Sequence, residues 1–303
     1  MSQDLGREAP GLPTDDPAAA IERQMEVSLR EIGIPPRPRI LELINLEARA
    51  GEPNFNYLAE LIQSDVALAA GLIKVANSPF FGYRQKTRNV RDALLMLGLS
   101  TAAGAVAGLI LRRVFPPVLR LERFWDASQR TGELAGWLVQ RLGVRYGVRP
   151  EDAYTFGLFR DCGIPVMMRR FDRYGEILGR ANLSDTHPFT AIEEAEVPTN
   201  HAVVGGLMAQ SWWLPEDLCT GIRRHHDLSF LVDNHLGATG ASCRLVALAQ
   251  LAERLHQELS GLNQCREWDK LGEACLARLG LAETDLPELF GDGQAFLAKL
   301  PAY

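Results

Sequence analysis

From Leu58 to Gly82 the chain reads LAELIQSDVALAAGLIKVANSPFFG. Leu58, Leu61 and Ile62 recur at the spacing of one helical face, and Asn54 or Asn56 stands where a side chain can cap that helix. Ser64 and Asp65 then cap a second helix, Val66 to Ala76, which is apolar on nearly every side. A helix without a polar face belongs in the middle of a bundle. Asn77, Ser78 and Pro79 end it, because proline lacks the N–H that would continue the ladder. The stretch therefore predicts helices packed on helices.

Outward from it the pattern repeats. Val90 to Leu97 predicts a short helix closed by Gly98, and Ser100 to Phe115 a second one with a thin Ala- and Gly-rich backbone suited to a central position. Thr131, Leu134, Ala135, Leu138, Val139 and Leu142 form one apolar stripe. Ala153 to Arg170 reads as one helix or two, broken around Gly163 and Pro165. Thr199 and Asn200 cap a helix from His201 to Trp213, ended by Pro215, and Leu245 to Leu259 carries a further amphipathic pattern. No run alternates with period two, so strand content should be negligible. The expected fold class is all-α, in two packed helical bundles.

Residues 1–30 are expected to form an N-terminal tail, disordered up to about Asp16, with a leading helix from Pro17 to Ile32. An N-terminal helical subdomain should occupy residues 31–117, with Pro116 and Pro117 marking its boundary. A second helical subdomain should follow over 118–260, and a helical extension over 261–303.

The chain has 303 residues and a formal net charge of -6, which argues against nucleic acid as a partner. Basic groups such as Arg112 with Arg113, or Arg169 with Arg170, fall at the ends of apolar stretches, where cations suit helix C-termini. Five cysteines without a CxxC pair and an N-terminus without a secretory pattern point to reduced thiols in a cytoplasm. The apolar run Ala102 to Leu111 is too short to span a bilayer, so no membrane is expected.

His201 shares a helical face with Val204, Met208 and Ser211, where a polar ring must find a partner. His225 and His226 are adjacent, and at about 100° per helical residue only one of them should reach the same cavity as His201. Asp161 lies in the segment GLFRDCG beside Arg160. A carboxylate with histidines can ligate a divalent cation, whereas a guanidinium pointing into the same pocket would oppose one. Trp212 and Trp213 read as core residues.

Several of these runs resemble the HDOD domain, a bacterial relative of the HD-type metal-dependent phosphohydrolases. The likeness is carried by the Ile34-Pro35-Pro36 segment, LAELIQSDVALAAGLIKVANSPFFG, VRDALLMLGL (Val90 to Leu99), FWDAS (Phe124 to Ser128), GLFRDCG, HAVVGGLMAQSWWLP (His201 to Pro215) and IRRHHD (Ile222 to Asp227). The resemblance implies an HD-like second bundle and a set of metal ligands. Carried over, the early histidine falls near Ala127 or Ser128, and the histidine of the His-Asp pair is Arg160 while its carboxylate remains as Asp161. A following lysine falls at Ile164, the later histidines match His201, His225 and His226, and the closing carboxylate falls near Gln250.

The resemblance thus implies a degenerate pocket of Arg160, Asp161, His201, His225 and His226, with no catalytic residue, metal or cofactor. The expected function is a regulatory signal-transduction module that binds a protein or small ligand in a groove between the two bundles. Its partner would be a separately encoded response regulator, kinase or cyclic-dinucleotide enzyme. Two alternatives compete. One is a hydrolase of nucleotides or cyclic dinucleotides using the residual ligands. The other is a non-hydrolytic sensor in which Arg160, with Arg223 or Arg224, holds an anionic metabolite.

Overall fold

The computed structural model describes residues 31–78, 81, 86–115, 121–143, 147–232, 240–262 and 264–300. The expected tail, all but the last two residues of the leading helix, the Pro116–Pro117 boundary and His235 lie outside the described residues. Among the described residues every regular element is helical and none is a strand.

The first bundle comprises α1 (Arg39–Arg49), α2 (Phe55–Gln63), α3 (Val66–Ala76) and α4 (Val90–Leu111). Their starts are set by side chains that satisfy otherwise orphaned N–H groups: Asn54 accepts from Tyr57 N, Asp65 from Leu68 N and Asn89 from Asp92 N. Gly98 (φ 72°) takes a left-handed turn inside α4, so the two helices expected on either side of it run on as one kinked element ending at Leu111. By length and composition α4 could cross a membrane. Here it packs against α1, α2, α3 and the second bundle, with Ala102, Ala105, Val106 and Ala107 in the core.

The second bundle is built on α5 (Glu122–Leu142), α6 (Pro150–Phe159) and α13 (Gly240–Ser260). Gly132 and Gly157 meet where α5 crosses α6; a Cβ on Gly157 would stand 2.6 Å from the Gly132 Cα, so only glycine permits this backbone approach. Around them lie α7 (Gly163–Arg170), α8 (Tyr174–Leu183), α9 (Phe189–Glu194), α10 (His201–Ser211), α11 (Glu216–Arg224) and α12 (Leu228–Val232). The break between α6 and α7 falls at residues 160–162, just ahead of Gly163. A Cβ on Gly163 would run into the carbonyl oxygen of His201, so α7 and α10 touch through their main chains.

The C-terminal extension folds back as α14 (Glu267–Leu279), a 3-10 turn at Glu283–Asp285 and α15 (Leu286–Leu297), with α14 packed along α13. The two bundles are joined by the segment before α1. Trp212 Nε1 donates to the Pro35 carbonyl at 3.1 Å, and Arg37 Nη1 donates to the Ser211 carbonyl at 3.0 Å. Trp212 is buried as expected. Trp213 is only half-buried and has φ 61°, an unfavourable backbone conformation for a bulky residue. The Arg37 guanidinium lies over its ring, 3.6 Å from the centroid, and holds it there.

Candidate metal centre

Asp161, His201, His225 and His226 converge deep in the second bundle, each offering one donor atom within 4.8 Å of the others. Four elements bring them together. Asp161 sits in the α6–α7 break, and His201 opens α10, where Asn200 accepts from Val203 N. His225 and His226 follow α11 directly, His225 as its C-cap. From His201 Nε2 it is 3.3 Å to His225 Nε2, 3.1 Å to His226 Nε2 and 3.5 Å to Asp161 Oδ1. His225 Nε2 is 3.2 Å from the same oxygen. Both adjacent histidines therefore reach His201, contrary to the expectation that only one could. The rule of 100° per residue applies inside a helix; α11 stops at Arg224, and the chain turns through His225 and His226.

The far side of each ring is also fixed. His201 Nδ1 is 2.9 Å from both oxygens of Glu193, His225 Nδ1 is 2.7 Å from the Ile222 carbonyl, and His226 Nδ1 is 2.8 Å from Glu267 Oε1. Carbonyls and carboxylates only accept, so each Nδ1 must donate. A neutral ring then presents its Nε2 lone pair to the centre. Three such lone pairs and a carboxylate oxygen would repel one another, and either a proton on one Nε2 or a metal cation among them relieves this.

The titration of the cluster expresses the same demand. Burial opposes a charge on His201, but Glu193 and Asp161 outweigh it and push the ring up to about 9. Burial and the neighbouring His225 push His226 down to about 3. Burial would raise Asp161, yet Arg160 holds it well below the usual carboxylate range. Glu267 is drawn down to about 2, since His226 and Lys270 overcome its burial.

The donor set fits a metal ion. Bonds of ~2.0–2.1 Å in a tetrahedral sphere place donors ~3.3 Å apart, close to the distances around His201. Imidazoles backed by carboxylate or carbonyl acceptors are the usual form of histidine ligation. Arg160 does not stand in the way. Its Nε binds the other oxygen of Asp161, Oδ2, at 3.0 Å, and its Nη2 pairs with Glu253 Oε2 at 2.6 Å. Its Nη1 donates to Gln250 Oε1 at 3.3 Å. Its charge acts on the candidate ligand Asp161 and is answered by that carboxylate together with Glu253, while its remaining bond goes to Gln250 on α13.

Gln250, where a closing carboxylate was expected, serves Arg160 instead. Ser128 bonds to the Phe124 carbonyl at 2.9 Å, and Ile164 is buried on α7. Asp227 caps α12 and pairs with Arg224. The sequence reading missed Glu193, Glu253, Glu267 and Tyr174, whose hydroxyl donates to Glu193. Nothing distinguishes these carboxylates in the sequence from surface ones.

An all-helical chain of two bundles with a buried His–Asp cluster defines a class, and the comparisons give it a family. The sequence matches the HDOD domain family over residues 34–228, and the chain belongs to that family. Among solved structures it shares its fold with a "Putative phosphohydrolase" from Shewanella amazonensis, at 20% identity and TM-score 0.61, covering 90% of this chain and 95% of that one. An HDOD domain protein of unknown function from Geobacter sulfurreducens gives 20% identity and TM-score 0.59, over 92% and 96%. A "Putative signal transduction protein" from Marinobacter aquaeolei gives 19% and 0.62, over 92% and 65%. An uncharacterized Treponema pallidum protein is 26% identical over 196 residues, 64% of this chain; the match spans 38% of that protein's length.

Proposed function

We propose that the chain is a regulatory signal-transduction module that acts by binding, and that its buried cluster holds a single divalent metal ion as a structural element. The observation that carries this reading is the set of four protein donors around one centre. Hydrolytic centres commonly offer three protein ligands and keep a position for water, whereas four is the complement of a structural site. A bound ion would cancel the repulsion among the inward-facing donors and, in a hydrolase, would also activate a water. Asp161 has given its second oxygen to Arg160, so it lacks a free oxygen with which to bridge two ions, as a two-metal hydrolase would use it. Three nitrogens and one oxygen suit zinc and its first-row neighbours.

Metal analysis of dialysed protein, together with hydrolysis assays on bis(p-nitrophenyl) phosphate and nucleotides, tests the reading. The expected result is about one metal ion per chain, lost in His201→Ala, and no hydrolysis by either protein. Turnover that needs the metal and disappears in His201→Ala would replace the module with a phosphohydrolase. Metal-free wild-type protein would remove the structural ion.

A further inference from the structure

Between the two bundles lies a cavity of about 620 Å³, well separated in sequence from the His–Asp cluster and lined from both sides. This is within the ~300–1,000 Å³ range of small-molecule sites. Its charge runs against that of the chain as a whole. Lys74 on α3, Lys86 ahead of α4, Arg112 at the end of α4 and Lys299 after α15 all border it, in a protein of net charge -6. Lys86, Arg112 and Lys299 are exposed and make no ion pair or side-chain hydrogen bond among the described residues. Among the described residues the one carboxylate in the lining, Glu133, is already answered within α5 by Arg130 at 3.0 Å and Gln129 at 3.3 Å.

Three aromatic side chains, Phe81, Trp125 and Tyr154, stand in the lining beside aliphatic ones such as Leu109 and Leu158. Phe81 and Tyr154 meet edge to face with centroids 6.2 Å apart, and the half-buried Trp125 is braced by Phe115 and Phe124. Braced rings at a cavity wall offer surfaces on which a planar heterocycle can stack. The cations come from four separate points of the fold and surround one volume. A nucleic acid strand would need its charges laid out along a track instead. One small molecule with an aromatic ring and a compact anionic group meets both demands.

We infer that the inter-bundle cavity binds a nucleoside phosphate, its base among Phe81, Trp125 and Tyr154 and its phosphates toward Lys86, Arg112 and Lys299. This rests on the reading of the chain as a module that acts by binding, and it names the class of ligand.

The test is calorimetric titration, with tryptophan fluorescence, of the full chain with GTP, ATP and GMP, using adenosine, inorganic pyrophosphate and a short single-stranded RNA as comparisons. At least one nucleotide should bind saturably, and more tightly than adenosine or pyrophosphate, because each of those offers only half of the recognition. The double variant Lys86→Glu, Arg112→Glu alters exposed side chains only and should weaken binding at least ~30-fold. Trp125→Leu should weaken it about tenfold, with thermal melts showing both variants folded. Absence of nucleotide binding, binding unchanged in the charge-reversed variant, or preference for RNA would each overturn the inference. Metal content is measured on the same samples. A wild-type protein that holds its ion but no nucleotide leaves the proposed function standing without this ligand, and one that holds nucleotide but no ion does the reverse.

Discussion

Glu193 grips His201 with both carboxylate oxygens, each 2.9 Å from Nδ1, eight residues before the histidine in the chain. The pair is fully buried, and the hydroxyl of Tyr174 donates to the same carboxylate. Glu193→Ala would strand a buried ring N–H and a buried hydroxyl together. We expect a loss of about 3–5 kcal/mol in urea unfolding. In Glu193→Gln the ring keeps an acceptor but loses the charge, and metal affinity measured against a chromogenic chelator should fall ~10–100-fold. Unchanged affinity in that variant would mean that Glu193 does not orient a ligand.

Arg160 bridges two carboxylates, Asp161 at 3.0 Å and Glu253 at 2.6 Å. Its removal in Arg160→Leu leaves the half-buried Asp161 and Glu253 without their shared, buried counter-charge. Unfolding should show a cost of about 3–5 kcal/mol. Adding Glu253→Gln should recover part of it, with a coupling energy of at least ~1 kcal/mol in a double-mutant cycle. Additive losses would place Arg160 outside the network.

The indole of Trp212 bonds across 177 residues to the Pro35 carbonyl and thereby joins the bundles. Trp212→Phe keeps most of the apolar contact and loses that bond, so a destabilisation of about 1–2 kcal/mol is expected. Thermal denaturation of the purified variant measures it.

Thiol reactivity has a predictable pH dependence. Burial pushes Cys219, Cys265 and Cys275 up to about 12, and Cys162 higher still. At pH 8 these groups are overwhelmingly protonated, and the thiol is not the nucleophile. Ellman's reagent should therefore react slowly with the native chain and rapidly with all five cysteines in denaturant. Rapid labelling of several thiols in the native state would contradict the burial described here.

Much of the fold was legible because helices announce themselves locally. The apolar face of α2, the caps at Asn54, Asp65 and Asn200, and the disturbance at Gly98, a kink where a helix end was expected, all depend on residues within a few positions of one another. Asp161, His201, His225 and His226 could be named because histidines are scarce and stand out on apolar stretches. Their partners could not. Glu267 comes from the C-terminal extension, 41 residues beyond His226, and Glu253 reaches Arg160 from another helix. The direction of Arg160 was equally hidden, since a sequence does not say which carboxylate a guanidinium will choose.

Gly163 contributes no side-chain atom to any of this chemistry. Yet its bare Cα lets the main chain of α7 lie against that of α10, beside the two segments that carry Asp161 and His201. The spacing of the donors is thus governed by a missing methyl group. A related chain could retain each of these four residues and still lose their common geometry through one extra carbon here. Inventories of ligands alone would not register the difference.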